Sequence, residues 1–172
     1  FALGNAAWQF IGLDTAYDEW NLQPKVKTPN GNELVVDQVA WARSILAGNP
    51  NAKGVLLSHH QPYSEYEPSG ADKAGKVAAQ TLPLIQSGRV PVWLWGHEHR
   101  CVIYKPITFT SPTGPVTLPF GACLGHGGVP SRPTREVKPG VRHVLTQIVK
   151  YGIENFATMG FAVLDLDGAS GQ

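Results

Sequence analysis

The sequence feature that most constrains the fold is a run of six apolar residues at positions 90–95, Val-Pro-Val-Trp-Leu-Trp. A continuous run of this kind predicts a strand that is buried on both faces. Two further strand patterns, at 8–13 and 54–58, alternate along the chain with helical patterns at 33–46 and 72–85. Strands and helices that alternate at this spacing predict a layered α/β sheet.

The second half of the chain contains short β-prone segments separated by Pro and Gly, which predict antiparallel strands. Segment 141–149 is compatible with either a helix or a strand, whereas 161–166 predicts a last strand. Residues 16–32 and 61–70 predict polar loops, and Pro83 is expected to kink or shorten the second helix. The short segments are 101–104, 107–110, 116–118 and 121–124.

Composition and charge exclude several functional classes. The 14 Lys and Arg residues nearly balance the 13 Asp and Glu residues, and without a basic cluster we expect no nucleic-acid patch. No apolar run is long enough for a membrane segment. Cys101 and Cys123 leave both their pairing and the cellular compartment open. The chain begins at Phe1 with no signal-peptide pattern, which indicates a piece of a longer protein.

Two of the predicted strands end in pairs of histidines. His59 and His60 follow the strand at 54–58, while His97 and His99 stand one residue apart after the apolar run. Because ligands bind beyond the carboxyl ends of strands in open α/β sheets, we expect these side chains at one edge of the sheet. Imidazole is a common metal ligand, and three imidazoles can hold Zn²⁺ with an open fourth position. The sequence therefore predicts part of a metal site.

The order of the motifs resembles one known family, the calcineurin-like metallophosphoesterases. The segments that carry the resemblance are Phe-Ile-Gly-Leu-Asp-Thr at 10–15, a helix with Gln38 and Trp41, Leu-Leu-Ser-His-His-Gln-Pro at 56–62, Gly-His-Glu-His at 96–99 and Gly-Phe-Ala-Val-Leu-Asp at 160–165. The resemblance implies the C-terminal half of a β-sandwich flanked by helices, with 1–172 as one partial domain. The family's earlier blocks (Asp-x-His, Gly-Asp-x-x-Asp and Gly-Asn-His-Asp or -Glu) are not in this sequence, so we expect the N-terminal half to be missing.

The resemblance also implies a function. It predicts a phosphomonoesterase or phosphodiesterase that uses a metal-activated water on a small phosphoester or a phosphoprotein, with Zn, Fe or Mn as the metal and two ions in the complete enzyme. His59 and His97 would ligate one metal and His99 the other, with His60 as the alternative to His59. No residue of this chain is assigned a catalytic role beyond the metal ligands. Because ligands are missing, we expect the chain alone to have little activity.

Other residues near the predicted edge receive weaker expectations. His126 and Tyr63 are candidates for lining the pocket. Glu98 is expected to point away from the metal, where it either orients an imidazole or, as the favoured alternative, is exposed to solvent. Asp14 is expected to cap backbone N–H groups of its loop. The alternative to a hydrolase is a non-catalytic remnant, or a half-domain that acts only when a partner chain complements it. An open sheet edge would favour such pairing.

Overall fold

The computed structural model describes residues 1–15, 36–67 and 74–166. Within these ranges the chain forms helices, strands and connecting loops. The helices are α1 (Val36–Gly48) and α2 (Lys76–Gln86), and the strands are β1 (Ala2–Gly4), β2 (Trp8–Leu13), β3 (Lys53–Ser58), β4 (Val92–Trp95), β5 (Cys101–Tyr104), β6 (Ile107–Phe109), β7 (Val116–Leu118), β8 (Phe120–Leu124), β9 (Val141–Val144), β10 (Ile148–Tyr151) and β11 (Glu154–Ala157).

A mixed seven-stranded sheet, in the order β1-β2-β3-β4-β8-β5-β9, forms the centre of the fold. Strands β2, β3, β4 and β8 run parallel, so their carboxyl ends meet at one edge of the sheet. Strands β1, β5 and β9 pair antiparallel to their neighbours. The prediction of a layered α/β fold is therefore confirmed. Strand β8 corrects the expectation of a purely antiparallel second half, because its β4 neighbour is parallel.

One face of the central sheet carries the larger apolar core. Both helices and the β6–β7 hairpin share a buried cluster with Trp93 and Trp95, two residues apart on β4. Side chains alternate across a strand, so Val92 and Leu94 belong to a second, smaller cluster. In that smaller cluster Phe10, on β2, is only partly buried. The described residues thus form a central sheet whose one face is covered by the helices and the β6–β7 hairpin, while β10 and β11 pair as a separate antiparallel hairpin. The two-sheet sandwich stays a prediction.

The predicted last strand at 161–166 is wrong, because this segment has no strand in the structure. The edge strands of the seven-stranded sheet are β1 and β9, and segment 161–166 pairs with neither. Phe161 is 87% exposed and Val163 is 82% exposed, and only Leu166 packs against the smaller apolar cluster. A pattern of alternating apolar residues does not form a strand here, because the segment has no neighbouring strand to pair with.

The remaining boundaries follow the predictions closely. The ambiguous segment 141–149 resolves into strands, β9 and the start of β10. Pro83 lies inside α2 without ending it. The predicted loop at 16–32, the start of α1 before residue 36 and positions 68–73 lie outside the described residues. Neither α1 nor α2 is long and apolar enough to cross a membrane.

The two cysteines lie on neighbouring strands but on opposite faces of the sheet. Cys101 of β5 is paired with Leu124, while Cys123 of β8 is paired with Val102. Paired residues share a face, so the two thiols point in opposite directions. Both are free thiols.

Candidate metal site

Three parallel strands end at the same level and bring the predicted site together. Leu13 of β2 is in register with Ser58 of β3, and Ser58 is in register with Trp95 of β4. The residues that follow each strand therefore emerge side by side at the carboxyl edge. This register brings the histidines after β3 within reach of the turn after β4.

His59, His60 and His97 form a cluster in which the potential ligand atoms all lie within 4.8 Å of one another. His97 Nδ1 and His59 Nε2 are 3.1 Å apart. Two imidazole nitrogens bound to one tetrahedral Zn²⁺ at its usual distance are about 3.3 Å apart. The spacing therefore fits a shared ion, and it equally fits a hydrogen bond in which one ring carries the proton.

The cluster is buried on one side and open on the other. The side chain of His60 is fully buried, that of His97 is partly buried, and that of His59 is exposed. The ring centroids of His60 and His97 are 4.6 Å apart, and those of His59 and His97 are 5.0 Å apart. An ion held by these rings would have protein on one side and solvent on the other, which leaves a coordination position accessible.

Thr15, two residues after the end of β2, holds the buried member of the cluster. Its Oγ1 lies 3.0 Å from the backbone N of His60 and 3.1 Å from the ring Nδ1. With Nδ1 engaged, Nε2 is the nitrogen of His60 that can ligate an ion. Gln38 of α1 holds the adjacent residue through two 2.7 Å bonds to the backbone N and O of Asp14. The Asp14 side chain is not a member of the cluster.

The turn after β4 is built from two non-glycine residues in left-handed conformations. His97 has a φ of 51° and His99 a φ of 47°. Such residues cost about 1–3 kcal/mol each and concentrate at functional sites, although histidine tolerates them better than most. Gly96 N donates to His59 O at 3.1 Å, and Glu98 N donates to Gly96 O at 2.7 Å. These bonds help to hold the strained turn beside the loop that carries His59.

Close packing from β8 also restrains this turn. A Cβ atom at Gly125 would lie 3.0 Å from the backbone C of Gly96 and 3.0 Å from the backbone N of His99. Only glycine allows this approach without displacing the turn. The thiol of Cys123 donates to Gly96 O at 3.0 Å. The end of β8 thus packs against the turn and restrains it.

Glu98 is buried, so the expectation that it faces solvent is wrong. Its side chain is 4% exposed, and its Oε1 accepts a 2.5 Å hydrogen bond from Ser64 Oγ. Its Oε2 lies 3.4 Å from the indole Nε1 of Trp95. Burial raises the pKa of the Glu98 carboxyl, while the Ser64 bond, the Arg100 charge and the Trp95 bond oppose that rise. The sequence could not show this, because the direction of the side chain depends on the left-handed residues on either side.

His99 stands apart from the three clustered histidines. Its side chain is exposed, and its backbone O accepts a 2.6 Å bond from Ser131 Oγ. His59 and His60, treated as alternatives from the sequence, both belong to the cluster. In the described part of the chain, no carboxylate or thiol joins this group.

The two candidate pocket residues also lie outside the cluster. Tyr63 OH donates to Glu65 Oε1 at 2.5 Å, and its ring packs edge-on against Tyr104. Burial and the neighbouring Glu65 raise the pKa of Tyr63. His126 follows β8 at the same sheet edge, where its side chain is buried and its backbone O accepts from Gly160 N at 3.3 Å. Their roles in a pocket remain predictions.

Two residues that hold the cluster or the turn beside it, Thr15 and Ser64, were not predicted from the sequence. Thr15 lies two residues after β2, and its place at the carboxyl edge is the signal that could have identified it. Ser64 lies in the polar segment that follows His60, where nothing in the local pattern distinguishes it from its neighbours. Only the tertiary contact with Glu98 identifies Ser64.

Comparisons with known proteins leave the family open. No protein-family model matches this chain, and no curated protein is significantly similar to it. The metallophosphoesterase resemblance therefore depends on the order of the motifs in the sequence.

Proposed function

We propose that this chain binds a divalent metal ion through His59, His60 and His97 and forms part of a metal-dependent phosphoric ester hydrolase. The observation that carries the proposal is the convergence of three imidazoles, within 4.8 Å, at the carboxyl edge of a parallel sheet. Ligands of α/β proteins bind at this edge. The order of the sequence motifs supports phosphoester hydrolysis, by a phosphomonoesterase or a phosphodiesterase.

The donor set fits Zn²⁺ best among the candidate metals. Neutral imidazoles suit borderline metals such as Zn and Fe, whereas Mn prefers oxygen ligands. When bound, such an ion lowers the pKa of a coordinated water and polarises a phosphoryl oxygen. The protein's own contribution is to fix the rings: Thr15 holds His60, and the backbone of His59 holds the turn that carries His97. The exposed side of His59 gives a substrate access.

A second ion would need ligands in addition to the three clustered histidines. The three-histidine cluster contains no carboxylate there to bridge two cations. His99, at the exposed end of the turn, is the residue we propose for that second ion. Because two adjacent cations need acidic ligands, we expect this chain by itself to hold a single ion and to release little phosphate from an ester.

Metal binding is the first test of the proposal. Wild-type protein should hold about one equivalent of Zn²⁺, and His97→Asn should weaken that affinity at least about tenfold. Asn tolerates left-handed backbone, so the matched variant His99→Asn preserves the turn and should bind within about twofold of wild type. His143→Asn, at an exposed position of β9, controls for the substitution itself. Wild-type protein without bound Zn²⁺ would overturn the proposal.

Phosphate binding then separates the hydrolase from a metal-binding remnant. Co²⁺, which suits the same imidazole ligands, is paramagnetic and should broaden the ³¹P resonance of inorganic phosphate when phosphate reaches the loaded site. The broadening should disappear in His97→Asn and persist in His143→Asn. A loaded chain that leaves the phosphate resonance unchanged would contradict the hydrolase proposal.

That outcome would favour the second candidate, a non-catalytic domain or one complemented by a partner chain. Two observations support this alternative. The cluster contains no acidic ligand from the described residues, and the smaller apolar cluster leaves Phe10, Leu57 and Phe120 only partly buried. A partner that covered this face could also bring carboxylates to the site.

A further inference from the structure

We infer that Glu98 is a positioning residue that holds the two histidine-bearing loops in register, through its buried bond to Ser64. The inference rests on the proposed metal site and adds a role that the ligands themselves do not fill. His59 and His60 follow β3, whereas His97 follows β4, so the cluster forms only while two separate loops keep their relative position. The Ser64–Glu98 bond connects those loops inside the protein.

The Ser64 hydroxyl is fully used, which gives its bond to Glu98 a defined direction. Ser64 is completely buried, and its Oγ accepts from the backbone N of Tyr66 at 2.9 Å and from that of Glu67 at 2.8 Å. A hydroxyl has two acceptor positions and one proton. Since both acceptor positions are occupied, the remaining proton is directed at Glu98 Oε1, 2.5 Å away. The loop after β3 therefore presents one oriented donor to the turn after β4.

Glu98 is placed to anchor the turn and not to ligate the metal. Its two oxygens are engaged by Ser64 and by the indole of Trp95, on the buried side of the turn. It stands between His97 and His99, the two residues with left-handed backbone. A buried side chain in the middle of such a turn limits rotation of both flanking residues. Holding Glu98 therefore fixes where the His97 ring points.

A second set of contacts joins the same loops at the surface. The guanidinium of Arg100 forms a 2.7 Å ion pair with Glu67 and lies 4.9 Å from the ring centre of Tyr66. Its Nε also donates to the backbone O of Glu98 at 3.2 Å. Because the Glu67 side chain is 46% exposed, this ion pair is weak. The buried Ser64–Glu98 bond is the contact with the larger expected effect on the cluster.

The test measures metal affinity and ligand geometry together in the full chain. Glu98→Ala should weaken Zn²⁺ binding about 10- to 100-fold, the usual effect of losing a residue that orients metal ligands. It should also change the visible absorption spectrum of the Co²⁺-loaded protein, which reports coordination geometry. Glu98→Gln keeps an oxygen acceptor for Ser64 and should recover most of the affinity and the wild-type spectrum. Glu154→Ala, at an exposed position of β11, is the control.

The outcomes separate this inference from the proposed function. Wild-type protein that binds no metal contradicts the metal site itself. Wild-type binding together with an unchanged affinity and spectrum in folded Glu98→Ala overturns the positioning role alone. If Glu98→Ala does not fold, Ser64→Ala removes the same bond and leaves the carboxyl in place. A folded Ser64→Ala protein with wild-type affinity and spectrum would likewise overturn the inference.

Discussion

Thr15 and His60 are joined at two points, because Thr15 Oγ1 lies 3.0 Å from the backbone N and 3.1 Å from the ring Nδ1 of His60. Both side chains are buried. The threonine lies two residues after β2 and the histidine two residues after β3, so this contact joins the segments that follow two neighbouring strands. It also leaves Nε2 as the ring nitrogen that can ligate a metal. Partners of this kind orient metal ligands and select their tautomers.

Replacing Thr15 with valine should weaken both the site and the fold. Valine matches threonine in shape but cannot accept a hydrogen bond from the buried backbone N–H of His60. Leaving that buried N–H without its partner should lower the free energy of unfolding by about 1–3 kcal/mol. The freed imidazole should bind Zn²⁺ about 10- to 100-fold more weakly. Chemical denaturation and Zn²⁺ titration measure the two effects. The exposed Thr146→Val should change neither, and a Thr15→Val protein with wild-type values of both would contradict this prediction.

Because the thiol of Cys123 is buried, we expect the protein to lose stability at alkaline pH. Burial, with the nearby charge of Glu98, raises the pKa of Cys123 to about 12. The folded protein therefore keeps a proton that the unfolded chain loses near its usual pKa of about 8.5. The contribution of this thiol to the free energy of unfolding is therefore complete below about pH 8.5. Above that pH it declines by up to about 1.4 kcal/mol per pH unit, until the thiol of the folded protein also ionises.

A comparison with Cys123→Ala isolates this effect. The variant has a cavity whose cost does not change with pH, and Cys101 titrates in both proteins. Chemical denaturation between about pH 8 and 10 should show the wild type losing stability more steeply than the variant, since only the wild type carries the buried thiol. Parallel curves for the two proteins would show that the Cys123 thiol is not protected by the fold.

Arg89 is expected to be the most important single side chain at the junction of α1 and β3. Its guanidinium donates to the backbone O of Leu46, Asn49 and Ala52, the last at 2.8 Å. The Leu46 carbonyl lies in the last turn of α1, where carbonyls have no partner within the helix and carry partial negative charge. Hydrogen bonds from a charged donor contribute about 1.5–3 kcal/mol, so Arg89→Ala should lower the free energy of unfolding by about that amount or more.

Two further variants make the Arg89 prediction specific. Arg89→Lys keeps the charge but lacks the fork that spans several carbonyls, so it should recover only part of the loss. Arg43→Ala removes an exposed arginine of α1 and should have little effect. Urea denaturation of these three variants beside the wild type provides the comparison. Equal stability of Arg89→Ala and Arg43→Ala would rule out the capping role.

Local sequence patterns were sufficient to predict much of the fold. Strands β2, β5 and β7 have the predicted boundaries, because each is marked by its own apolar residues and bounded by Gly, Pro or polar residues. Segment 161–166 has a comparable pattern and forms no strand, since pairing depends on a neighbour that the sequence does not specify. Strand β1 was not anticipated, because a strand of three residues carries too little pattern to recognise.

The sequence alone determined that a layered sheet would bring histidines to one edge, because strands that alternate with helices run parallel and place their carboxyl ends at the same edge of the sheet. Which histidines meet was decided by the tertiary structure. His60 joins the cluster where β2 and β3 end in register, whereas His99 lies outside the cluster although its backbone is left-handed like that of His97. The burial of Glu98 was also decided by the tertiary structure, through the turn in which Glu98 lies. Side-chain direction in a turn depends on backbone angles stabilised by distant contacts, and these have no counterpart in the local sequence.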